Sequence, residues 1–260
     1  MAEDRSRKSP HWWRIFDDKF VVEERFMNAG SRKNLYLIAV ILMVLGAGLF
    51  LLTLTDVLGR DGLIGLDEPA RSWLVGQRTE SMTGVMIFLA IVFGPVALPI
   101  IILVVTVVWG IAAKHAWRPL LLAGAMLTGV ALAQIIGRSV GRQRPPLDLM
   151  LFGPDVTFSF PSGHVLGACD FLLVTTFLIF SRRESSWPAV AGFAAAAFGI
   201  FLASISRLYL GYHWVSDALA SLFISFVVLG AVIAVDTWRT ARVPGEQITG
   251  ELSKADTVES

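Results

Sequence analysis

The chain has 260 residues, of which 55% are hydrophobic and only 17% are charged, and its mean hydropathy is +0.65. Ordinary soluble domains carry roughly 25% charged residues, so this chain has too little charge to cover a water-soluble globule. A net charge of +1 creates no field that would recruit nucleic acid, and a single cysteine excludes an internal disulfide framework. The composition therefore predicts an integral membrane protein.

The first 34 residues form a basic segment without a long apolar run. Within it and just before the first run, residues 11–29 contain six large apolar side chains: Trp12, Trp13, Ile15, Phe16, Phe20 and Phe26. This mixture is typical of an amphipathic helix at a membrane interface. A loosely ordered basic tail fits the pattern equally well, so both interpretations stay open.

Six apolar stretches follow, each with at most one acidic residue, at 35–54, 81–113, 119–137, 165–180, 188–206 and 214–235. A membrane-spanning helix needs about 20 mainly apolar residues, because its backbone polar groups must pair within the segment. The sequence therefore predicts an all-α polytopic membrane protein with six transmembrane helices and an additional interfacial helix.

The second stretch is too long for one straight crossing. As a helix it would extend roughly 50 Å, whereas the hydrocarbon core is about 30 Å thick. Gly94 and Pro95 interrupt it, so we predict a short helix near the interface over 81–93 and a crossing over 95–113. A seven-span alternative would place the two chain ends on opposite sides.

Positively charged residues indicate the orientation, because cytoplasmic loops carry an excess of Lys and Arg. With six spans, 15 of the 22 Lys and Arg residues fall on one side, which is predicted to be cytoplasmic. Residues 1–34 are then a cytoplasmic basic segment, 35–236 the membrane domain and 237–260 a cytoplasmic polar tail, and we expect the last ~20 residues to be disordered. Both chain ends are predicted to be cytoplasmic.

Three polar stretches fall together on the other membrane face, at 137–146, 161–164 and 206–217. They contain four guanidinium groups, whose planar forks match the oxygens of a phosphate: Arg138, Arg142, Arg144 and Arg207. Ser162 is placed as a helix N-cap, and Gly163 allows an anion to approach the N–H groups that open the next helix. The combination predicts a phosphate-binding site.

Two histidines lie in the same stretches. His213 and Asp217 are four residues apart at the predicted start of the sixth span, so they would share one helix face. The carboxylate can accept the ring N–H and stabilise an imidazolium, which suits a nucleophilic histidine. His164 has no such partner and is predicted to protonate the leaving oxygen. This arrangement predicts two-step transfer through a phosphohistidine, without metal or other cofactor.

The sequences PSGH at 161–164 and SR-x5-H-x3-D at 206–217 resemble the second and third signature motifs of the type-2 phosphatidic acid phosphatase superfamily. That group includes membrane lipid phosphatases, undecaprenyl-diphosphate phosphatases and soluble vanadium haloperoxidases. The resemblance implies that His213 is the nucleophile, Asp217 its orienting partner and His164 the general acid. It further implies a phosphate-binding role for four residues: Arg144, Ser162, Gly163 and Arg207.

The first motif departs from the family pattern, which is Lys, six residues and then Arg-Pro. Counting back from Arg144, the Lys position holds Gly137. We expect Arg138, or less favourably Arg142, to replace the missing lysine.

The sequence thus predicts metal-independent hydrolysis of a lipid phosphate or diphosphate at the outer membrane face. Phosphatidic acid, phosphatidylglycerol phosphate and undecaprenyl diphosphate are the candidate substrates, and the additional Arg142 favours the more anionic diphosphate. Two alternatives stay open: a phosphotransferase that passes the group between lipids, and a non-catalytic transporter of phosphorylated lipids.

Overall fold

The computed structural model describes residues 18–183, 185–248 and 253–255. Helices dominate this part of the chain. In chain order they are α1 (Ala29–Gly59), α2 (Asp67–Gly76), α3 (Glu80–Val92), α4 (Ala97–Ala112), α5 (Trp117–Val140), α6 (Gly163–Phe180), α7 (Trp187–Tyr209) and α8 (Val215–Thr240). Two short 3₁₀ helices, Gly62–Leu66 and Leu147–Leu149, lie in the connections.

Five of these helices, α1 and α5 to α8, are long and apolar enough to cross a membrane. Helices α3 and α4 satisfy the same criteria only as a pair, bent by 48° at the break between them. The predicted interruption at Gly94 and Pro95 is thereby confirmed. A count of six spans is reached only if this bent pair is taken as one span, whereas the sequence predicts the crossing over residues 95–113 alone and places residues 81–93 at the interface.

The bent pair connects the two ends of the helix bundle. Just before α3, the guanidinium of Arg78 donates to the carbonyl of Tyr209, at the end of α7. Just after α4, His115 contacts Glu23 through its Nε2, at 2.8 Å. Tyr209 and Glu23 lie at opposite ends of the bundle, so α3 and α4 together traverse its length.

Small residues bring α1 and α8 into close contact. A Cβ added at Gly46 would lie 2.6 Å from the carbonyl oxygen of Phe223, and one added at Gly230 would lie 2.7 Å from that of Ala39. Such substitutions would force the two helix backbones apart. Close packing at small residues stabilises helix pairs in a lipid bilayer, where the hydrophobic effect does not drive helices together. Helices α6 and α8 are the most buried of the spans.

Three short strands form a parallel sheet at the bundle end opposite the predicted site. Their order is β2 (Ala241–Arg242), β1 (Val22–Phe26) and β3 (Ser253–Ala255). The helix considered for residues 11–29 is therefore wrong over Val22–Phe26, and residues 11–17 lie outside the described residues. The disordered tail is likewise wrong over Ser253–Ala255.

A buried carboxylate accounts for this sheet. Glu24 on β1 is fully buried and forms ion pairs with Arg239, at 3.0 Å, and Arg242, at 2.6 Å. Both arginines stand at or just beyond the end of α8. These attractions join segments more than 200 residues apart, which is why local patterns did not indicate a strand here.

Candidate active site

The three polar stretches predicted to share one face meet at one end of the bundle. The first follows the end of α5, where Gly141 adopts a left-handed φ of 64° and turns the chain out of the helix. The second opens α6, and its Ser162 carbonyl accepts a hydrogen bond from Ser221 of α8 at 2.9 Å. Ser162 also donates its N–H to the Asp217 carbonyl at 3.4 Å. The third stretch joins α7 to α8.

His213 is buried, and its surroundings define which ring nitrogen carries the proton. Its Nδ1 lies 2.9 Å from the Ser159 carbonyl and 3.4 Å from the Asp217 carboxylate, and both are acceptors. Its Nε2 lies 3.0 Å from Arg144, a group that can only donate. Nδ1 therefore bears the hydrogen, and the Nε2 lone pair faces the guanidinium.

The pKa of His213 is lowered to about 4, chiefly by burial and further by the positive charge of Arg144. The hydrogen bond to Asp217 acts in the opposite direction. His213 is therefore a neutral base at physiological pH, which is the state a nucleophile requires.

Asp217 pairs with His213 for a different reason than the sequence suggested. Helix α8 begins at Val215, so His213 precedes it and the two residues do not share a helix face. Instead, Asp217 caps the helix: its Oδ2 accepts the Trp214 N–H at 2.9 Å and a short hydrogen bond from the Ser159 hydroxyl. The capping turn brings the preceding imidazole over the same carboxylate.

Arg144 lies between His213 and the loop that precedes α6. Its Nε and Nη2 donate to Thr157, and Nη2 also pairs with Asp155 at 3.0 Å. Its Nη1 donates to the Tyr212 carbonyl at 2.8 Å. Burial lowers the pKa of Arg144. Burial also raises the pKa of Asp155, but hydrogen bonds from Thr157 and the charge of Arg144 outweigh it and leave that pKa lowered.

Arg207 is a buried guanidinium without an anion. Only 4% of the residue is exposed, and its charge stacks over the Tyr212 ring at 4.2 Å. Within the described residues its guanidinium makes no hydrogen bond or ion pair, and its buried Nε has no acceptor. Because an unpaired buried charge is costly, this group is suited to bind an anionic ligand.

The opening of α6 adds backbone donors beside these cations. Ser162 is the N-cap, as predicted, and its hydroxyl accepts the Val165 N–H at 3.5 Å. The first N–H groups of a helix have no intrahelical partner, and the helix dipole favours an anion there. A Cβ added at Gly163 would contact no protein atom within 4 Å, so protein packing does not require this glycine. His164 interacts electrostatically with Arg207 and His213.

No described contact joins the remaining two arginines predicted for phosphate to Arg144 or Arg207. Arg138 is exposed in the last turn of α5, and no described hydrogen bond or ion pair links it to the other residues. Gly137, at the family's lysine position, is buried next to the Phe160 carbonyl. Arg142 directs its guanidinium to Asp217, Ser216 and Asp67.

Several site residues were not found from the sequence: Asp67, Asp155, Thr157 and Ser159. Ser159 acts through its carbonyl as well as its hydroxyl, and a backbone acceptor leaves no trace in residue type. Asp67 lies in α2, far from the motifs in sequence. Within the described part of the chain, no group of three or more His, Cys, Asp or Glu residues could share a metal ion.

Comparisons with known proteins found a matching family, a similar fold and several relatives in sequence. Residues 118–241 match the family described as the PAP2 superfamily, which is the family that the sequence motifs resemble. A crystal structure of a transmembrane PAP2 type phosphatidylglycerolphosphate phosphatase from Bacillus subtilis has a similar fold, with a TM-score of 0.65 and 24% identity. The likeness covers 75% of this chain and 96% of that one. The fold and the apolar helices are those of a membrane protein.

Relatives in sequence carry two names. Phosphatidylglycerophosphatase B of Escherichia coli (strain K12) is 35% identical over 89 residues, 34% of this chain and 31% of that protein. The protein of the same name in Bacillus subtilis (strain 168) is 31% identical over 127 residues, 45% of this chain and 59% of the relative. Undecaprenyl-diphosphatase BcrC of that organism is 34% identical over 70 residues, 27% of this chain and 31% of BcrC. The match thus spans about a third of the Escherichia coli relative.

Proposed function

We propose that this protein is a membrane phosphatase that hydrolyses the phosphate of a lipid through a phosphohistidine on His213. The observation that carries the proposal is the state of that histidine. Its Nδ1 proton is directed to the Ser159 carbonyl and Asp217, and its Nε2 lone pair faces Arg144, where a phosphate would be held. The names of the relatives support phosphate ester hydrolysis.

In the first step, Nε2 of His213 attacks phosphorus and the P–O bond to the lipid breaks. His164 gives a proton to the departing oxygen, and Asp217 stabilises the positive charge on His213. Arg144, Arg207 and the opening of α6 neutralise the phosphoryl oxygens. In the second step, water attacks phosphorus, His164 takes a proton from that water, and the P–N bond breaks to release inorganic phosphate.

A glycerolipid phosphate monoester is the substrate class we favour. Sequence reasoning used Arg142 to favour a diphosphate, but its guanidinium is occupied by two carboxylates, Asp67 and Asp217. This leaves Arg144 and Arg207 as the cations for one phosphate. The site stands at one end of a bundle of apolar helices, so lipid tails can remain in the membrane while the head group enters.

We further propose six membrane crossings, with both chain ends cytoplasmic and the site on the other face. The bent pair of α3 and α4 connects opposite ends of the bundle and so acts as one crossing. The segments that flank α1 and α8 pair in one sheet, as expected if both ends lie on the same side.

The test is phosphate release by purified protein from phosphatidylglycerol phosphate, phosphatidic acid and undecaprenyl diphosphate, with a chelator present. We expect turnover of the monoesters, its loss in His213→Asn, and an acid-labile, base-stable phosphoenzyme in the wild type. His115→Asn is the matched control, because His115 lies at the sheet end and binds Asp18 and Glu23. Turnover retained in His213→Asn would contradict the proposal.

The same assay separates hydrolysis from the alternatives. Incorporation of oxygen from labelled water into the released phosphate indicates hydrolysis, whereas transfer to an added lipid alcohol indicates a phosphotransferase. Binding of the lipid phosphate without any product would favour a transporter.

A further inference from the structure

Arg142 is enclosed by carboxylates on the side of Asp217 that faces away from His213. Its Nη1 donates to Asp217 Oδ1 at 2.6 Å and to the Ser216 hydroxyl at 2.7 Å, and its Nη2 donates to Asp67 at 2.7 Å. The outer face of the guanidinium lies over the Trp214 ring, 5.7 Å from its centroid. All of its hydrogen bonds therefore go to groups other than the histidines.

Asp67 opens α2 and is almost completely buried, with 4% exposure. Its Oδ1 accepts the Ser216 N–H at 2.9 Å, and its Oδ2 accepts the Ser216 hydroxyl at 2.7 Å as well as Arg142. Ser216 immediately precedes Asp217 in the first turn of α8. Asp67 thus holds both the guanidinium and the helix turn on which the catalytic carboxylate stands.

The carboxylates of Asp67 and Asp217 share one guanidinium, that of Arg142, so the formal charge of these three side chains is −1. A positive charge that develops on the His213 imidazole during attack offsets it. The two carboxylate oxygens of Asp217 also divide their partners. Oδ2 serves Trp214, Ser159 and His213, whereas Oδ1 has Arg142 as its partner among the described residues.

We propose that Asp67 and Arg142 are positioning residues that hold the Asp217 carboxylate, and through it His213, in the orientation needed for attack on phosphorus. This role rests on the proposed function. Asp217 is fully buried, so without Arg142 its Oδ1 would lack a partner and the carboxylate would turn away from the imidazole. Asp67 lies outside the matched family segment 118–241, so α2 contributes to the site from beyond that segment.

The experiment separates positioning from phosphate binding by comparing kcat, KM and inhibition by orthovanadate. A misplaced reacting group costs about 10²-fold, so we expect Arg142→Gln to lower kcat by about that factor while KM and the vanadate inhibition constant stay within about threefold. Arg142→Lys should recover only part of kcat, because one ammonium cannot bridge two carboxylates as a guanidinium fork does. Arg207→Gln is the control for loss of phosphate binding, and it should instead raise the vanadate inhibition constant.

Asp67→Asn keeps the shape of the side chain and provides a second, milder variant. We expect it to lower kcat by about tenfold with KM unchanged, as loss of an outer partner of a catalytic group does. Because Asp67 acts largely through Arg142, the double variant should be within about twofold of Arg142→Gln alone. Thermal stabilisation by vanadate shows that each variant retains a folded site.

Three results would overturn the positioning role alone: an unchanged kcat in Arg142→Gln, a loss of vanadate inhibition in Arg142→Gln as large as in Arg207→Gln, or additive losses in the double variant. If the wild-type protein shows no turnover that depends on His213, the proposed function is overturned, and the positioning role falls with it.

Discussion

Replacement of Arg207 by glutamine is expected to make the protein more stable and inactive at once. Arg207 is buried and forms no ion pair within the described residues, although its charge stacks over the Tyr212 ring and is attracted by Asp155. Removing an unpaired ion relieves a desolvation penalty of several kcal/mol. Loss of the cation–π contact with Tyr212 destabilises the protein by about 2 kcal/mol and so offsets part of that gain. We therefore expect a net gain of about 1–3 kcal/mol in the free energy of unfolding.

For a chain of this length, about 1 kcal/mol corresponds to roughly 2–4 °C in melting temperature. Arg207→Gln should therefore melt about 2–12 °C above the wild type in detergent without ligand. Its kcat/KM should fall by at least about 10²-fold, because a preorganised donor to the phosphoryl oxygens is lost. Orthovanadate at 100 times its dissociation constant should stabilise the wild type by about 2.7 kcal/mol and the variant much less.

The control is Arg78→Gln at the same end of the bundle. Arg78 donates to the carbonyls of Tyr209 and Leu149, so its loss leaves buried acceptors unsatisfied and should lower the melting temperature. The reasoning fails if Arg207→Gln melts below the wild type, or if it keeps wild-type kcat/KM. Either result would mean that Arg207 serves the fold rather than an anion.

Three further outcomes are expected. With respect to His213, kcat/KM should stay constant on lowering the pH from 7 to about 5 and fall through about 4, where its neutral form is protonated. A fall of kcat/KM on acidification that is centred near 6.5 would contradict this. Val156 lies in the loop before α6 and is 85% exposed, so a cysteine placed there by Val156→Cys should react with an impermeant thiol reagent from outside intact cells. The native Cys169 is buried and should not react. Labelling of the variant only after lysis would show the opposite orientation. Gly129→Val should prevent accumulation of folded protein, because its side chain would overlap the buried Asp170 carboxylate, whereas Gly124→Val, where an added Cβ meets nothing, should be tolerated in a detergent-stability assay.

Local patterns were sufficient for the long apolar helices and for part of the candidate site. The apolar stretches predicted five of the spans, and Gly94 and Pro95 predicted the break between α3 and α4. Ser162 was identified as an N-cap because capping depends on neighbours within three residues. The pairing of His213 with Asp217 was also expected, although it arises from a capping turn and not from a shared helix face.

Long-range electrostatic partners could not be found in this way. The strand at Val22–Phe26 exists because Glu24 meets arginines at the far end of the chain, and the role of Arg142 follows from meeting Asp67. A guanidinium binds phosphate or carboxylate with the same geometry, so residue type leaves its partner undecided. Composition and spacing predicted a helical membrane protein with a histidine-based phosphate site. Only the folded chain decided which arginines face that site and which hold its carboxylate, because that depends on the groups that burial brings within about 3 Å of each guanidinium.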